Sequence, residues 1–203
     1  MQRTMCFIDY QNFNIELMNH YRLHNQTLKS INYSLLARNI NEIIPMESQV
    51  IKTYLFASKP CDELMQLPKF QKYYDWLESI KNHPYFEVIE GRQEIRTINR
   101  IQYDVHDPDT YTTIEKGTDV NMSVQMISKA FQNAYDIAIL VSGDTDYIPI
   151  VKTLHQIGKT VVLATFPHQN VNKYKNLYDQ NIILYNDIVR NSTGSGRTQY
   201  FSE

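Results

Sequence analysis

The sequence predicts an α/β fold of three layers, with helices on both faces of a mainly parallel central sheet. Three observations carry this expectation. Short apolar runs alternate with segments of helical periodicity, the run Ile137-Ala-Ile-Leu-Val141 is apolar without a break, and a strand, helix and second strand follow one another within about thirty residues at that point. Thr4 to Ile8 forms the first expected strand. Leu36, Ile40, Ile43 and Ile44 recur at helical spacing until Pro45, and Val50 to Ala57 supplies the β-branched and aromatic residues of a strand. Phe70, Tyr73, Tyr74, Leu77 and Ile80 mark a second amphipathic helix closed by His83-Pro84, with Tyr85 to Ile89 as a third strand. Val120, Val124, Ile127 and Phe131 line one face of a helix from Asp119 to Asn133. The strand Ile137 to Val141, buried on both faces, is expected at the centre of the sheet. Pro149 is tolerated in a first helical turn, Gly158 caps the helix end, and Thr160 to Ala164 returns as a strand. A short helix at 172–177 and a strand at 182–185 complete the expected domain, residues 1–190. The polar segment 191–203 is expected to be a flexible tail, and 91–113 is left as a hairpin or an excursion over the sheet edge.

Length and composition bound the function. A chain of 203 residues buries roughly 70% of its unfolded surface, enough for a core without staples. Twenty basic against 22 acidic residues give a net charge of −2, so a nucleic-acid partner must meet a local patch and not a whole-molecule field. Two distant cysteines, Cys6 and Cys61, argue against a disulfide framework or zinc knuckle and for a reducing, cytoplasmic setting. The first apolar run is broken by Asp9, and no apolar stretch is long enough to span a membrane, so a soluble, unexported protein is expected.

Open parallel sheets bind ligands beyond the carboxyl ends of their strands, and the acidic residues fall there. Asp9 follows the first strand in F-I-D-Y-Q-N-F, Asp144 and Asp146 follow another in V-S-G-D-T-D-Y, and Asp119 opens a helix in E-K-G-T-D-V. Two carboxylates about 4 Å apart repel by about 4 kcal/mol at an effective dielectric of ~20, so neighbouring loops of this kind call for a cation. Oxygen ligands without His or Cys suit Mg2+ or Mn2+, ions that share phosphate oxygens with a substrate and activate water for attack on a phosphodiester. Taken singly, Asp119 and either Asp144 or Asp146 read better as helix caps. Their coincidence at three junctions is harder to explain as capping.

F-I-D-Y-Q-N, K-G-T-D-V and I-A-I-L-V-S-G-D-T-D-Y-I-P-I with G-K-T-V-V resemble the NYN domain, most closely its LabA-like branch, over residues 4 to 165. The resemblance implies a PIN-like, Rossmann-like fold and a metal-dependent, RNA-directed endonuclease site. Asp9, Asp119, Asp144 and Asp146 would be its catalytic and metal-binding set, and Asn12 would orient a carboxylate or touch the scissile phosphate. Two positions depart from that pattern: Tyr10 stands where many members have Gly, and Gln125 where LabA-like members often carry a further Asp.

On the substrate side, Lys116 is placed to reach the same anion, and Ser142 with Gly143 offers a hydroxyl and backbone N–H groups for a phosphate. Arg92, Arg96 and Arg100 share a face that could grip phosphates or simply be solvated. The partner expected is RNA, single-stranded, with a homodimer or protein partner left open. Gly158-Lys159-Thr160 is a helix stop and no P-loop, because Thr153 stands where the first glycine is needed. His20 and His24 share a helical face but lack a third ligand, and are expected at the surface. A haloacid-dehalogenase-like phosphatase would need Asp where Gln11 stands. The stronger rival is a PIN-like RNA- or protein-binding regulatory module with weak or no turnover.

Overall fold

The computed structural model describes residues 1–98 and 102–194. Among these residues seven strands, β1 Gln2–Asp9, β2 Ser48–Pro60, β3 Phe86–Thr97, β4 Tyr111–Lys116, β5 Ile137–Val141, β6 Thr160–Thr165 and β7 Gln180–Ile183, form one sheet in the order β4-β3-β2-β1-β5-β6-β7. All neighbours are parallel except the β3–β4 pair. Among the described residues six α-helices, α1 Tyr10–Leu23, α2 Tyr33–Asn41, α3 Pro68–Ile80, α4 Thr118–Phe131, α5 Ile148–Gln156 and α6 Asn186–Asn191, flank it. The expected mixed α/β architecture is therefore present.

Strand alternation divides the core into two halves. Cys6, Ile8, Leu55, Ala57, Ile139 and Val162 face one layer and meet Phe13, Leu17, Leu36, Ile40 and Leu77 from α1, α2 and α3. Met5, Phe7, Tyr54, Phe56, Leu140 and Leu163 face the other and meet Met122 and Met126 of α4 with Val151 and Leu154 of α5. Each fully buried large apolar side chain contributes roughly 1.5–3 kcal/mol, so both layers anchor the strand ends between them.

Several elements differ from the sequence-based expectation. The middle strand is β1, with β2 on one side and β5 on the other; β5 is fully buried but one place off centre. The Val120, Val124 and Phe131 stripe of α4 faces solvent, and Thr118, Met122, Met126 and Ala130 face the sheet. The reason lies at the helix start. Thr118 packs so closely over Gly91 that a Cβ there would stand 2.3 Å from its Oγ1, and with this end of the helix against β3, Met122 and Met126 follow on the same face into the core. The described part of 91–113 comprises the end of β3, which runs on to Thr97, a 3₁₀ turn at Pro108–Thr110 and the start of β4, which pairs antiparallel with β3 at the sheet edge; 99–101 lie outside the described residues. A single 3₁₀ turn, Lys175–Leu177, stands where a short helix is expected. Ser192 is buried and Thr193 bridges to Ile31, so the start of the expected tail lies against the fold; 195–203 are outside the described residues. His20 is buried, with its ring against His24 and Phe166, and only His24 is exposed.

Candidate active site

The carboxyl ends of β1 and β5 and the start of α4 meet on one side of the sheet. Asp9 ends β1 and caps α1, its Oδ1 accepting the Asn12 N–H at 3.2 Å. Its Oδ2 accepts the Ser142 hydroxyl at 3.0 Å. Tyr147 stands in the 3₁₀ turn Thr145–Tyr147 that leads into α5. Its hydroxyl donates to Asp119 Oδ1 at 2.9 Å and lies 3.4 Å from Asp9 Oδ2. A phenol carries one proton, so it satisfies one of these carboxylates at a time.

Asp9 is only 5% exposed. Burial pushes its carboxyl up to about 6 against the pull of the Asn12 N–H and Ser142 hydroxyl, and the charges of Asp119 and Asp144 push the same way. Burial, with Asp9 and Asp119 adding to it, holds the Tyr147 hydroxyl far above the usual phenol range, so it remains a donor. Three of the four expected aspartates thus act on one another. Asp144 caps the following turn, its Oδ1 accepting the Asp146 N–H at 2.9 Å, so capping and site membership coexist in one residue. Asp146 itself is exposed.

Sequence reasoning missed two members. Glu115, on β4, accepts the Ser58 hydroxyl. Burial pushes it up to about 7, with the charges of Asp9 and Asp119 contributing. It lay in plain view between the unassigned segment and K-G-T-D, and without the β3–β4 hairpin nothing placed it beside Asp9. Tyr147 closes the quoted motif S-G-D-T-D-Y, but its register in a 3₁₀ turn is what aims it back at Asp9 and Asp119.

The other candidates are placed differently from expectation. Lys116 pairs with Glu94 at 2.6 Å, and Arg92 pairs with the same residue at 3.0 Å. Arg96 is exposed on the same strand, and Arg100 lies outside the described residues. The Gly143 N–H donates to Asn12 Oδ1 of α1 at 3.0 Å and the Asp144 N–H to Ser142 Oγ within the loop at 3.1 Å, so both amides are already bonded. Asn12 Oδ1 also accepts from Gln169 Nε2 at 3.2 Å, and Gln169 sits so close over Gly143 that a Cβ there would clash with it. Asn12 is therefore a clamp on the loop after β5, and Ser142 is a support for Asp9.

Among the described residues no Lys or Arg forms an ion pair with Asp9, Asp119, Asp144 or Glu115. Mutually repelling hard oxygens with no cation among them match a divalent ion such as Mg2+ or Mn2+ in kind. The match is one of donor chemistry. Among the described residues no three His, Cys, Asp or Glu side chains stand close enough to hold an ion as they are. No helix among those residues is long and apolar enough to cross a membrane.

Comparison with known proteins agrees with this architecture. A family model described as the NYN domain matches residues 3–184. No curated protein matches the chain. Among solved structures, a protein of unknown function from Vibrio parahaemolyticus is similar at 19% identity and a TM-score of 0.54, covering 92% of this chain and 94% of its own. At that identity the likeness shows fold alone. A possible 1-phosphofructokinase from Thermotoga maritima is similar at 9% identity and a TM-score of 0.34 over 85% of this chain and 57% of its own, which carries no argument.

Proposed function

The chain belongs to the NYN domain family, within the PIN-like nuclease superfamily, and from that premise we propose that it is a divalent-metal-dependent endoribonuclease. The observation that supports this most is that Asp9, Asp119 and Asp144, from three separate junctions, are coupled electrostatically, with Tyr147 lying between Asp9 and Asp119 and, among the described residues, no Lys or Arg paired with any of them. In this proposal Asp9, Asp119 and Asp144 hold Mg2+ or Mn2+, with Asp146 at the rim. A bound ion would supply an activated water and neutralise charge on the phosphoryl oxygens. The remaining work falls to the chain. Ser142 and the Asn12 N–H fix the Asp9 carboxylate, Tyr147 orients Asp119, and Glu115 is able to accept a proton near neutral pH.

We assign the chain to the LabA-like branch on I-D-x-x-N, K-G-x-D and S-G-D-x-D, with single-stranded RNA as substrate. Both cysteines are free, which supports work in a reducing compartment such as the cytoplasm.

The test is cleavage of single-stranded and structured RNA in manganese by wild type and Asp144→Asn. Loss of cleavage in the variant is expected; equal cleavage by both proteins defeats the site assignment. A second proposal, a module that binds RNA with little turnover, draws support from the open arrangement of the carboxylates and from Gln125. RNA binding without cleavage by either protein would favour it.

A further inference from the structure

A cavity of about 200 Å³ opens beside the acidic centre, at the same end of the sheet. Tyr10, Phe70 and Tyr73 give it aromatic walls, and Gln11, Gln93 and Glu115 give it polar ones. Two of these residues tie it to the centre: Tyr10 follows Asp9 directly in the chain, and Glu115 feels the charges of Asp9 and Asp119. The aromatic wall is held in place. Tyr73 donates its hydroxyl to the Ser58 carbonyl at 3.0 Å, and the Tyr10 ring lies 5.9 Å from that of Tyr73 and 5.1 Å from that of Trp76. A cation stands at the same cavity, since Lys69 lines it with its Nζ 5.0 Å from the Phe70 ring centroid.

This lining matches one kind of guest. Flat faces stack on a heteroaromatic ring, side-chain amides and a carboxyl pair with donors and acceptors on its edge, and a lysine meets a backbone phosphate. The volume suits one base and not a base pair. Resting on the nuclease proposal above, we infer that this cavity seats one unpaired nucleobase of the substrate, next to the phosphate presented to Asp9. A base inside a duplex is stacked and paired on both sides and cannot enter, so the cavity selects for single strands.

The experiment uses the Asp144→Asn protein in magnesium and a short fluorescein-labelled single-stranded RNA in which 2-aminopurine replaces one base at successive positions. Anisotropy reports binding, and 2-aminopurine emission falls when that base stacks. The expected result is a several-fold quench at one position only. Added Tyr73→Ala should abolish the quench and weaken binding about tenfold. Because Tyr73 also packs on Trp76, added Gln93→Ala and Lys69→Ala serve as variants that spare the core; each should reduce the quench or the affinity. If the RNA binds and 2-aminopurine stays bright at every position, the cavity is not a base site, and the nuclease proposal stands. If no RNA binds at all, both fall.

Discussion

Tyr147 donates its hydroxyl to Asp119 across 2.9 Å, joining the turn after β5 to the first turn of α4. The two residues are 28 positions apart, and the bond is made by a side chain that is 1% exposed. A buried donor of this kind fixes the direction of a carboxylate that would otherwise swing in solvent. Tyr147→Phe keeps the ring and its packing and removes only the bridge. Its cost in stability is expected to be about 1–2 kcal/mol. The manganese concentration for half-maximal cleavage should rise roughly 10- to 100-fold, the usual effect of losing a group that orients a ligand. An unchanged metal dependence, measured by titration, would remove Tyr147 from the site.

The buried acids predict a pH signature. Asp9 stands at about 6 against an ordinary 3.8, and Glu115 at about 7 against 4.5. From about pH 3.8 to about 6 Asp9, and from about pH 4.5 to about 7 Glu115, holds a proton in the folded chain that the unfolded chain has released, so their contribution to stability falls as pH rises through those windows. Asp9→Asn removes that penalty. In chelator at pH 7.5 the variant should be more stable than wild type by about 1–3 kcal/mol, with the gap closing toward pH 4. Denaturant unfolding at the two pH values checks the sign.

Metal should reverse the order of these two proteins. An ion that binds only the folded state stabilises it by about 2.7 kcal/mol at a hundred times its dissociation constant. Wild type should melt higher in millimolar manganese than in chelator, and Asp9→Asn should show a smaller rise. Identical melting curves for wild type with and without metal would count against a clustered ion site.

Gly91 tests how the helix start is positioned. An added Cβ would meet Thr118 Oγ1 at 2.3 Å, the Lys116 carbonyl oxygen at 2.9 Å and the Thr118 nitrogen at 2.9 Å. Two of these are backbone atoms that no rotamer change can move. Gly91→Ala is expected to cost about 1–3 kcal/mol and to displace Asp119 with the first turn of α4. Cleavage should fall together with stability in urea, and Thr118→Ala in the same chain should rescue only part of each.

The strands β1, β5 and β6 were legible because their apolar runs are nearly unbroken and the sheet buries both of their faces, and β2 because β-branched and aromatic residues fill it. Helix α1 was harder to see. Its inward face carries Asn14 and His20 among Tyr10, Phe13, Leu17 and Tyr21, so polar residues blur the periodicity. Helix α4 carries two stripes at helical spacing, and composition alone favoured the valines over the methionines; in the fold Met122 and Met126 pack in the core, on the face where Thr118 meets Gly91, remote in sequence. At the site, the aspartates could be read because they follow recognisable strands. What holds them could not. Ser142 and Gly143 read as phosphate ligands in the sequence, and Asn12 as orienting a carboxylate or touching the phosphate; only tertiary structure shows the Ser142 hydroxyl spent on Asp9 and the Gly143 N–H on Asn12. Glu115 depended on an antiparallel edge strand that no local pattern announces.

The middle place of β1 in the sheet bears on the order in which the molecule becomes competent during synthesis. Its register with β2 joins residues that emerge from the ribosome early, whereas its register with β5 pairs Thr4 with Ile137 and Ile8 with Val141. A nascent chain that ends at Phe131 already contains Asp9, Glu115 and Asp119, but neither Ser142 nor Tyr147 to fix them. Under the proposed function, hydrolytic capacity arrives only once β5 and the turn after it have been made and have docked on β1, as a property of the finished sheet.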